Sequence, residues 1–251
     1  MKMLALLLLT PLLHANERRF AYTYETPTLP AGAVEIEPWT TLVPQDAGAL
    51  SFRHRLEFEL GVSNRVMTAL YFNWRGDVGD FAWSGVSNEW KWNVLSRAIQ
   101  PVGLALYAEA QIGPEEAELE AKILLDVEKG PFVVAVDLVG EWEGKRETEL
   151  ADDGTLTARL VPEFLVQGYV AASYELKNRL AGGVEVRSST RLPEAQGAQT
   201  TLFVGPALSY RSTGWWVALT PLFPAFHVVP EGDALIDDHP WEGRLLLGFH
   251  L

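Results

Sequence analysis

The sequence predicts an all-β protein, an antiparallel transmembrane β-barrel of about 12 strands that follows a cleaved signal peptide. Three observations carry this prediction. Apolar and polar residues alternate along most of the chain with the two-residue period of a strand. Tight turns and longer loops follow one another in alternation, as they do in such barrels. Beyond residue 16, no apolar stretch approaches the roughly 20 residues that a membrane-spanning helix needs.

The N-terminus predicts export. Lys2 precedes a short apolar run over residues 3–13, and Ala15 is a small residue suited to the position before a signal-peptidase cut. The alternative is an apolar N-terminal strand of a cytosolic protein. We divide the chain into a signal peptide over residues 1–16, an N-terminal periplasmic segment over residues 17–32 and the β-barrel over residues 33–251.

The composition narrows the classes of function. Acidic residues number 33 against 20 basic ones, and the formal net charge is -13. This balance argues against nucleic-acid binding, which needs clustered lysine and arginine. The chain has no cysteine, so it has neither a disulfide framework nor a cysteine-ligated metal. A closed barrel supplies stability in another way, because every strand has a partner on both sides.

Alternation is sharpest in residues 50–61. One parity carries the apolar residues Leu50, Phe52, Leu56, Phe58 and Leu60, and the other carries Arg53, Arg55, Glu57 and Glu59. Only a strand places two such sets on opposite faces. Residues 101–112 and 115–128 repeat the pattern. The whole chain gives strands near residues 33–43, 50–61, 65–75, 85–97, 101–112, 115–128, 131–144, 156–176, 179–191, 198–211, 215–229 and 241–251.

The connections between these strands fall into two kinds. Tight turns lie at residues 61–64, 128–130, 177–178 and 212–214, and longer loops lie at residues 76–84, 145–155, 192–197 and 230–240. Short turns on one rim and longer loops on the other are typical of outer-membrane barrels, in which the turns face the periplasm. An even number of strands then puts both termini in the periplasm.

The end of the chain carries a resemblance. In residues 241–251, Leu245, Leu247, Phe249 and Leu251 share one face. The sequence here resembles bacterial outer-membrane β-barrel proteins of the uncharacterised, porin-like single-barrel type, whose last strand commonly alternates in this way and ends on an aromatic residue. This chain ends on Leu251, with Phe249 two places earlier. The resemblance implies residence in the outer membrane of a diderm bacterium, contact with its lipids, and recognition of the last strand by the outer-membrane assembly machinery.

Tryptophans predict two aromatic girdles at the membrane interfaces. Trp74, Trp142 and Trp241 fall near the long-loop rim, and Trp215 and Trp216 fall at the short-turn rim. A soluble β-sandwich that packs these residues in its core is the alternative. The dense charge on the second face of the strands favours the barrel.

That second face would line the lumen, and it predicts the function. The pore candidates are Arg53, Arg55, Glu57, Glu59, Glu109, Glu118, Glu120, Lys122, Glu141, Glu185 and Arg187. The run from Arg53 to Glu59 is the densest and gives the first candidates for a constriction. We expect a small passive channel or porin-like transporter with an acidic, mixed-charge lumen that favours cations. The alternative is a closed or plugged barrel with a structural or binding role, in which these charges form salt bridges.

The sequence shows no recognisable catalytic constellation, and we do not expect an enzyme. An outer-membrane hydrolase would have to use His227 or His239, with Ser188 or Ser189 as the nearest hydroxyl group. We also expect no cofactor and no metal. Residues 237–239 are adjacent and cannot converge on one ion by themselves. Glutamate pairs such as Glu35 and Glu37 recur on strand after strand, which indicates a face of a sheet, not a site.

Overall fold

The computed structural model describes residues 17–45, 49–77, 79–150, 156–193, 197–231 and 239–251, and within them it is a closed antiparallel barrel of twelve strands. Each strand pairs with its neighbours in the chain, and the last strand closes the barrel against the first. The strands are β1 (Val34–Pro44), β2 (Leu50–Ser63), β3 (Val66–Asp77), β4 (Asp80–Leu95), β5 (Gly103–Ile112), β6 (Glu116–Lys129), β7 (Phe132–Leu150), β8 (Leu156–Glu175), β9 (Leu180–Pro193), β10 (Gln199–Arg211), β11 (Trp215–Val228) and β12 (Glu242–His250).

The predicted fold class is confirmed, and most predicted strands agree with the structure to within a few residues. Two loops are shorter than predicted. Strands β3 and β4 leave only residues 78–79 between them, and β7 continues to Leu150. The added part of β7 lies beyond the apolar belt, and its residues 145–149 are polar on both faces. Alternation therefore no longer marks the strand, although the backbone pairing continues. The predicted signal peptide lies outside the described residues.

The outer surface of the barrel is an apolar belt. Large apolar side chains at alternate positions are exposed along the strands, among them Phe58, Leu70, Leu106, Leu119, Ile123, Leu138, Val166, Val170, Leu208, Leu219, Phe223 and Leu245. Their strand neighbours of the opposite parity point into the barrel and are mostly buried. A continuous belt of this kind suits contact with lipid, not water. Among the described residues, no helix is both long enough and apolar enough to cross a membrane.

Tryptophan side chains lie on the outer surface near both rims, but one predicted girdle residue points inwards. Trp83 is exposed near the long loops, and Trp92 and Trp215 are exposed near the short turns. Trp216 is fully buried and donates a hydrogen bond from Nε1 to the carboxylate of Glu35 in the lumen. Adjacent residues of a strand face opposite sides, so only one of Trp215 and Trp216 can reach the lipid interface.

Residues 17–33 run from inside the barrel, at the end where the short turns are, to its rim, where Ala31 and Gly32 are exposed. We call this segment the plug. Sequence analysis assigned residues 17–32 to the periplasm, but Phe20, Thr23 and Leu29 are fully buried in the structure. The segment has no helical or strand periodicity, and its burial depends on the wall that surrounds it. The apolar core of the protein therefore lies within the barrel, where Phe20 packs against the small wall residues Val133, Ala135, Ala171 and Ala207.

Candidate functional site

The plug divides the lumen. Between the plug and the long-loop rim lie two adjoining cavities of about 190 and 310 Å³, which we call the vestibule. Both are lined by Trp39, Arg53, Arg55, Gln111, Glu118, Glu141, Glu143, Arg191 and Arg244, and the smaller one also by Tyr22, Tyr24, Glu109, Glu120, Lys122, Leu165, Gln167, Tyr169, Arg187, Ser189, His239 and Glu242.

The floor of the vestibule is formed by two tyrosines of the plug. The Arg244 guanidinium lies 4.1 Å from the centre of the Tyr22 ring, and the Lys122 ammonium lies 4.0 Å from the centre of the Tyr24 ring. Cations stabilise an aromatic face at these distances. Burial raises the pKa of both phenols above their usual value, so Tyr22 and Tyr24 stay neutral. The floor is therefore aromatic, and wall cations hold its two rings in place through cation–π contacts.

One wall of the vestibule carries a group of four glutamates, which we call the carboxylate patch. Glu118 of β6 pairs directly with Glu143 of β7, and Glu120 pairs with Glu141. Like charges directly opposite each other on a sheet are destabilising. Wall donors offset part of this repulsion, because Lys122 Nζ lies 2.9 Å from Glu120, Lys145 Nζ lies 3.1 Å from Glu143, and Gln111 donates a bond of 2.9 Å to Glu118. Repulsion between these glutamates lowers the stability of the barrel, and such a destabilising group indicates a functional role for its residues.

Ion pairs hold the other side chains of the vestibule in place. The Arg187 guanidinium lies 2.6 Å from Glu242 and 4.3 Å from the centre of the Phe203 ring. Arg55 donates to Glu109 and lies 4.0 Å from the centre of the Tyr71 ring. In the smaller cavity the charged lining residues are balanced, with acids at Glu109, Glu118, Glu120, Glu141, Glu143 and Glu242 and bases at Arg53, Arg55, Lys122, Arg187, Arg191 and Arg244.

Carboxylates of the wall anchor the plug through its backbone. The Glu185 carboxylate accepts hydrogen bonds from the backbone N–H groups of Ala21 at 2.8 Å, Tyr22 at 3.0 Å and Thr23 at 2.7 Å. It also accepts a bond of 2.9 Å from the Thr23 hydroxyl. Successive N–H groups that converge on one anion form a compact binding nest. Glu185 is 1% exposed, so these bonds replace the water that the buried carboxylate would otherwise need.

Two more acids continue this anchoring along the plug. Asp137 accepts a bond of 2.7 Å from the Tyr24 N–H. Asp126 accepts bonds of 2.9 Å from the Thr26 N–H and 2.7 Å from the Thr26 hydroxyl. Glu185, Asp137 and Asp126 are thus occupied by plug donors and are not free to line a pore.

At the short-turn rim, two arginines form ion pairs between the plug and the wall. Arg19 lies 3.3 Å from Glu128 and 3.3 Å from Glu175. Arg97, in the turn after β4, lies 3.0 Å from Glu25 of the plug and 2.6 Å from Asp126 of the wall.

Two glycines of the wall leave room for the plug backbone. A Cβ atom on Gly61 would lie 1.9 Å from the Pro30 carbonyl oxygen. A Cβ atom on Gly103 would lie 2.3 Å from the Thr26 hydroxyl oxygen and 2.1 Å from an Asp126 carboxylate oxygen. All three distances are shorter than any van der Waals contact. The wall is therefore shaped to receive this segment.

The family of unknown function DUF6662 matches residues 12–226 of the chain. The chain belongs to this family. The matched region contains the plug, strands β1 to β10 and most of β11. No curated protein matches the chain.

Solved structures of similar fold are outer-membrane barrels. The COG4313 outer membrane channel from Pseudomonas putida F1 is 9% identical, with 90% of this chain and 98% of that chain covered and a TM-score of 0.61. The NanC porin is 10% identical, with 87% and 100% covered and a TM-score of 0.55. The translocator domain of the autotransporter NalP from Neisseria meningitidis is 8% identical, with 88% and 89% covered and a TM-score of 0.56. This fold and the exposed apolar belt together place the DUF6662 chain in the outer membrane.

The structure separates the predicted pore candidates of this DUF6662 protein into two levels. Those that line the vestibule are Arg53, Arg55, Glu109, Glu118, Glu120, Lys122, Glu141 and Arg187. Glu57, Glu59 and Glu185 are buried deeper, at the level of the plug. The run from Arg53 to Glu59 lies along the barrel axis because consecutive inward residues of a strand are roughly 7 Å apart. It spans both levels and does not form a ring.

The two histidines considered for catalysis lie at separate places in the upper lumen. His239 stacks on Phe203 with ring centres 5.5 Å apart, and its Nε2 lies 3.5 Å from Glu242. His227 Nδ1 lies 3.2 Å from the Thr201 hydroxyl oxygen. Within the described ranges, no hydrogen bond joins either histidine to Ser188 or Ser189, the hydroxyl groups that sequence analysis considered with them.

Proposed function

We propose that this protein is a porin-like passive channel for small polar solutes in which the plug forms the constriction. The observation that carries the proposal is that plug residues line cavities on both sides. Tyr22 and Tyr24 line the vestibule, while Arg18 and Glu25 line a further cavity of about 380 Å³ near the short-turn rim. A solute that crossed the barrel would have to pass the plug.

The carboxylate patch favours solutes that carry a positive group, although the vestibule as a whole has seven acidic and eight lysine or arginine lining residues. The sequence predicts an acidic lumen, but many of its buried acids lie at plug level, where Asp126, Asp137 and Glu185 bind plug donors. The preference for cations therefore has to come from the carboxylate patch, because closely spaced carboxylates raise the local cation concentration. Arginines such as Arg53 and Arg191 line the same vestibule and would receive an anionic group. We propose small cationic or zwitterionic solutes as the permeating class.

A closed barrel with a structural or binding role is the second candidate. Its support is the number of bonds between the plug and the wall, which include the four to the Glu185 carboxylate. In that case the plug would stay docked and the vestibule would end blindly at the two tyrosines. Neither candidate uses a catalytic residue.

Conductance in planar bilayers distinguishes the two candidates. We expect the wild-type protein to conduct weakly and the double variant Tyr22→Ala/Tyr24→Ala to conduct several-fold more, because the rings that form the floor are gone. Phe223→Ala removes a ring from the lipid-facing side and is the matched control. The double variant Glu118→Gln/Glu141→Gln should lower the ratio of cation to anion permeability, read from the reversal potential in a salt gradient.

Two outcomes would contradict the channel. If the folded wild-type protein and both double variants are silent, the barrel is closed. If Tyr22→Ala/Tyr24→Ala conducts no more than the wild type, the plug is not the constriction. Heat-modifiable migration on detergent gels establishes in each case that the barrel is folded.

We also propose that β12 is read by the outer-membrane assembly machinery. Its support is the apolar outer face of this strand, where Leu245 and Phe249 are exposed.

A further inference from the structure

Three buried glutamates converge in the lower lumen, beside the plug and outside the vestibule. Glu35 of β1 pairs directly with Glu59 of β2, and Glu37 follows two residues along β1 on the same inward face. One carboxylate oxygen from each of the three lies within 4.8 Å of the others. None of the three residues is more than 4% exposed. We call this group the glutamate triad.

Glu37 lacks the partners that a buried carboxylate needs. It is 1% exposed, and neither of its carboxylate oxygens has a hydrogen-bond partner in the described part of the chain. Glu35 is different, because Trp216 donates to one of its oxygens and His250 Nδ1 lies 3.0 Å from the other. Removing a carboxylate from water costs several kcal/mol unless hydrogen bonds or an opposite charge compensate. Glu37 is therefore a buried acceptor without a donor in the described part of the chain, and its carboxylate lies beside those of Glu35 and Glu59.

The charge around the triad is also unbalanced. Glu57 and Glu89 are buried on the same wall, so five carboxylates share this region. The cations that face them are Arg18 of the plug, whose charge acts on Glu37 and Glu57, and Lys91, whose charge acts on Glu59 and Glu89. Arg55 and Lys122 also act on Glu57 and Glu89, but each is ion-paired with an acid of the vestibule, Glu109 or Glu120, and is counted with that acid. Protonated His250 would add one positive charge next to Glu35. Two units of negative charge remain, which one divalent cation would offset.

We propose that the glutamate triad binds a divalent cation and that Ca²⁺ is the ion of best fit. Carboxylate oxygens are the preferred ligands of such hard cations. Ca²⁺ holds its oxygens at about 2.3–2.6 Å, so two oxygens on one ion lie at most about 5 Å apart, which agrees with the spacing of the triad. Mg²⁺ demands near-ideal octahedral geometry and gives up its water reluctantly, so a group of protein carboxylates suits it less well than Ca²⁺.

The position of the triad gives the ion a structural consequence. Glu35 lies opposite His250 of β12, where the barrel closes, and it also bonds Trp216 of β11. A cation on the triad would therefore join β1 and β2 next to the closing seam. It would also set the charge that faces Arg18 of the plug.

Stoichiometry of binding tests the site directly. The protein is refolded in detergent in the absence of lipopolysaccharide and is stripped with EDTA, and bound Ca²⁺ is measured by equilibrium dialysis. We expect the wild type to bind one equivalent more than Glu37→Gln. Glu115→Gln removes an exposed carboxylate outside the vestibule that is already paired with Arg75, and this variant should bind as the wild type does. Terbium luminescence excited through tryptophan gives a second readout, because Trp216 lies beside the triad.

Thermal unfolding distinguishes a bound ion from a protonated glutamate. If the triad binds Ca²⁺, the ion raises the unfolding temperature of the wild type and of Glu115→Gln but not that of Glu37→Gln. If the wild type and Glu37→Gln bind equal amounts of Ca²⁺, or if Ca²⁺ leaves the wild type unchanged, the site does not exist. Both measurements are independent of conductance, so the proposal can fail while the channel stands, or stand while the channel fails.

Discussion

Replacement of Glu185 by alanine should release the plug. The Glu185 carboxylate accepts four hydrogen bonds from plug residues 21–23, three of them from backbone N–H groups. Glu185→Ala leaves those N–H groups without an acceptor, because the residue is fully enclosed by the wall and the plug. Asp137 would still bind the plug, and Arg19 of the plug would still bind Glu128 of the wall. The expected effect is a shift of the docking equilibrium, with the barrel itself intact.

The size of this shift follows from the bonds that are lost. A hydrogen bond to a charged group contributes about 1.5–3 kcal/mol net. Taking the lower value for three backbone donors, because lumen water can rehydrate them in part, gives about 4 kcal/mol. At about 1.4 kcal/mol for each factor of ten, the undocked population rises roughly 1,000-fold. Glu185→Gln keeps one acceptor oxygen and loses the charge, so its effect should be about 10- to 100-fold.

Amide hydrogen exchange measures this equilibrium at the residues concerned. The amides of Ala21, Tyr22 and Thr23 should lose about three powers of ten of protection in Glu185→Ala. Glu143→Ala changes an acid of the vestibule that contacts Lys145 and not the plug, and its exchange at residues 21–23 should equal that of the wild type. Unchanged protection in Glu185→Ala would show that the carboxylate does not hold the plug.

Two further predictions concern the wall. Gly103→Val should displace the plug, because the added Cβ would overlap Thr26 and Asp126. The N-terminal segment should then become sensitive to added protease. Gly140→Val is the control and should stay resistant, because no atom lies within 4 Å of its added Cβ. Leu138→Arg puts a charge on the lipid-facing belt and should lower the free energy of unfolding in vesicles by about 2–4 kcal/mol. Gln167→Arg puts the same charge in the vestibule and should change the free energy of unfolding by less than about 1 kcal/mol. Equal losses in the last two variants would contradict the assignment of faces.

The sequence by itself determined the strands and their two faces. In β2, Phe58 and Leu60 point outwards and Glu57 and Glu59 point inwards, as their parity predicts. Parity is reliable because it depends only on the extended backbone of one strand. The order of strands and the short-turn rim were also predictable, because each connection is local and antiparallel neighbours follow one another in the chain.

Only the tertiary structure decided which residues share a level of the lumen and where residues 17–33 lie. The Glu118–Glu143 pair depends on the register between β6 and β7, and the separation of Arg53 from Glu57 depends on their height in the barrel. The plug has no pattern of its own, and its partners are far away in sequence, such as Glu185 for Ala21. Alternation is a property of neighbouring residues, whereas a bond across 164 residues exists only after the wall has closed around the segment.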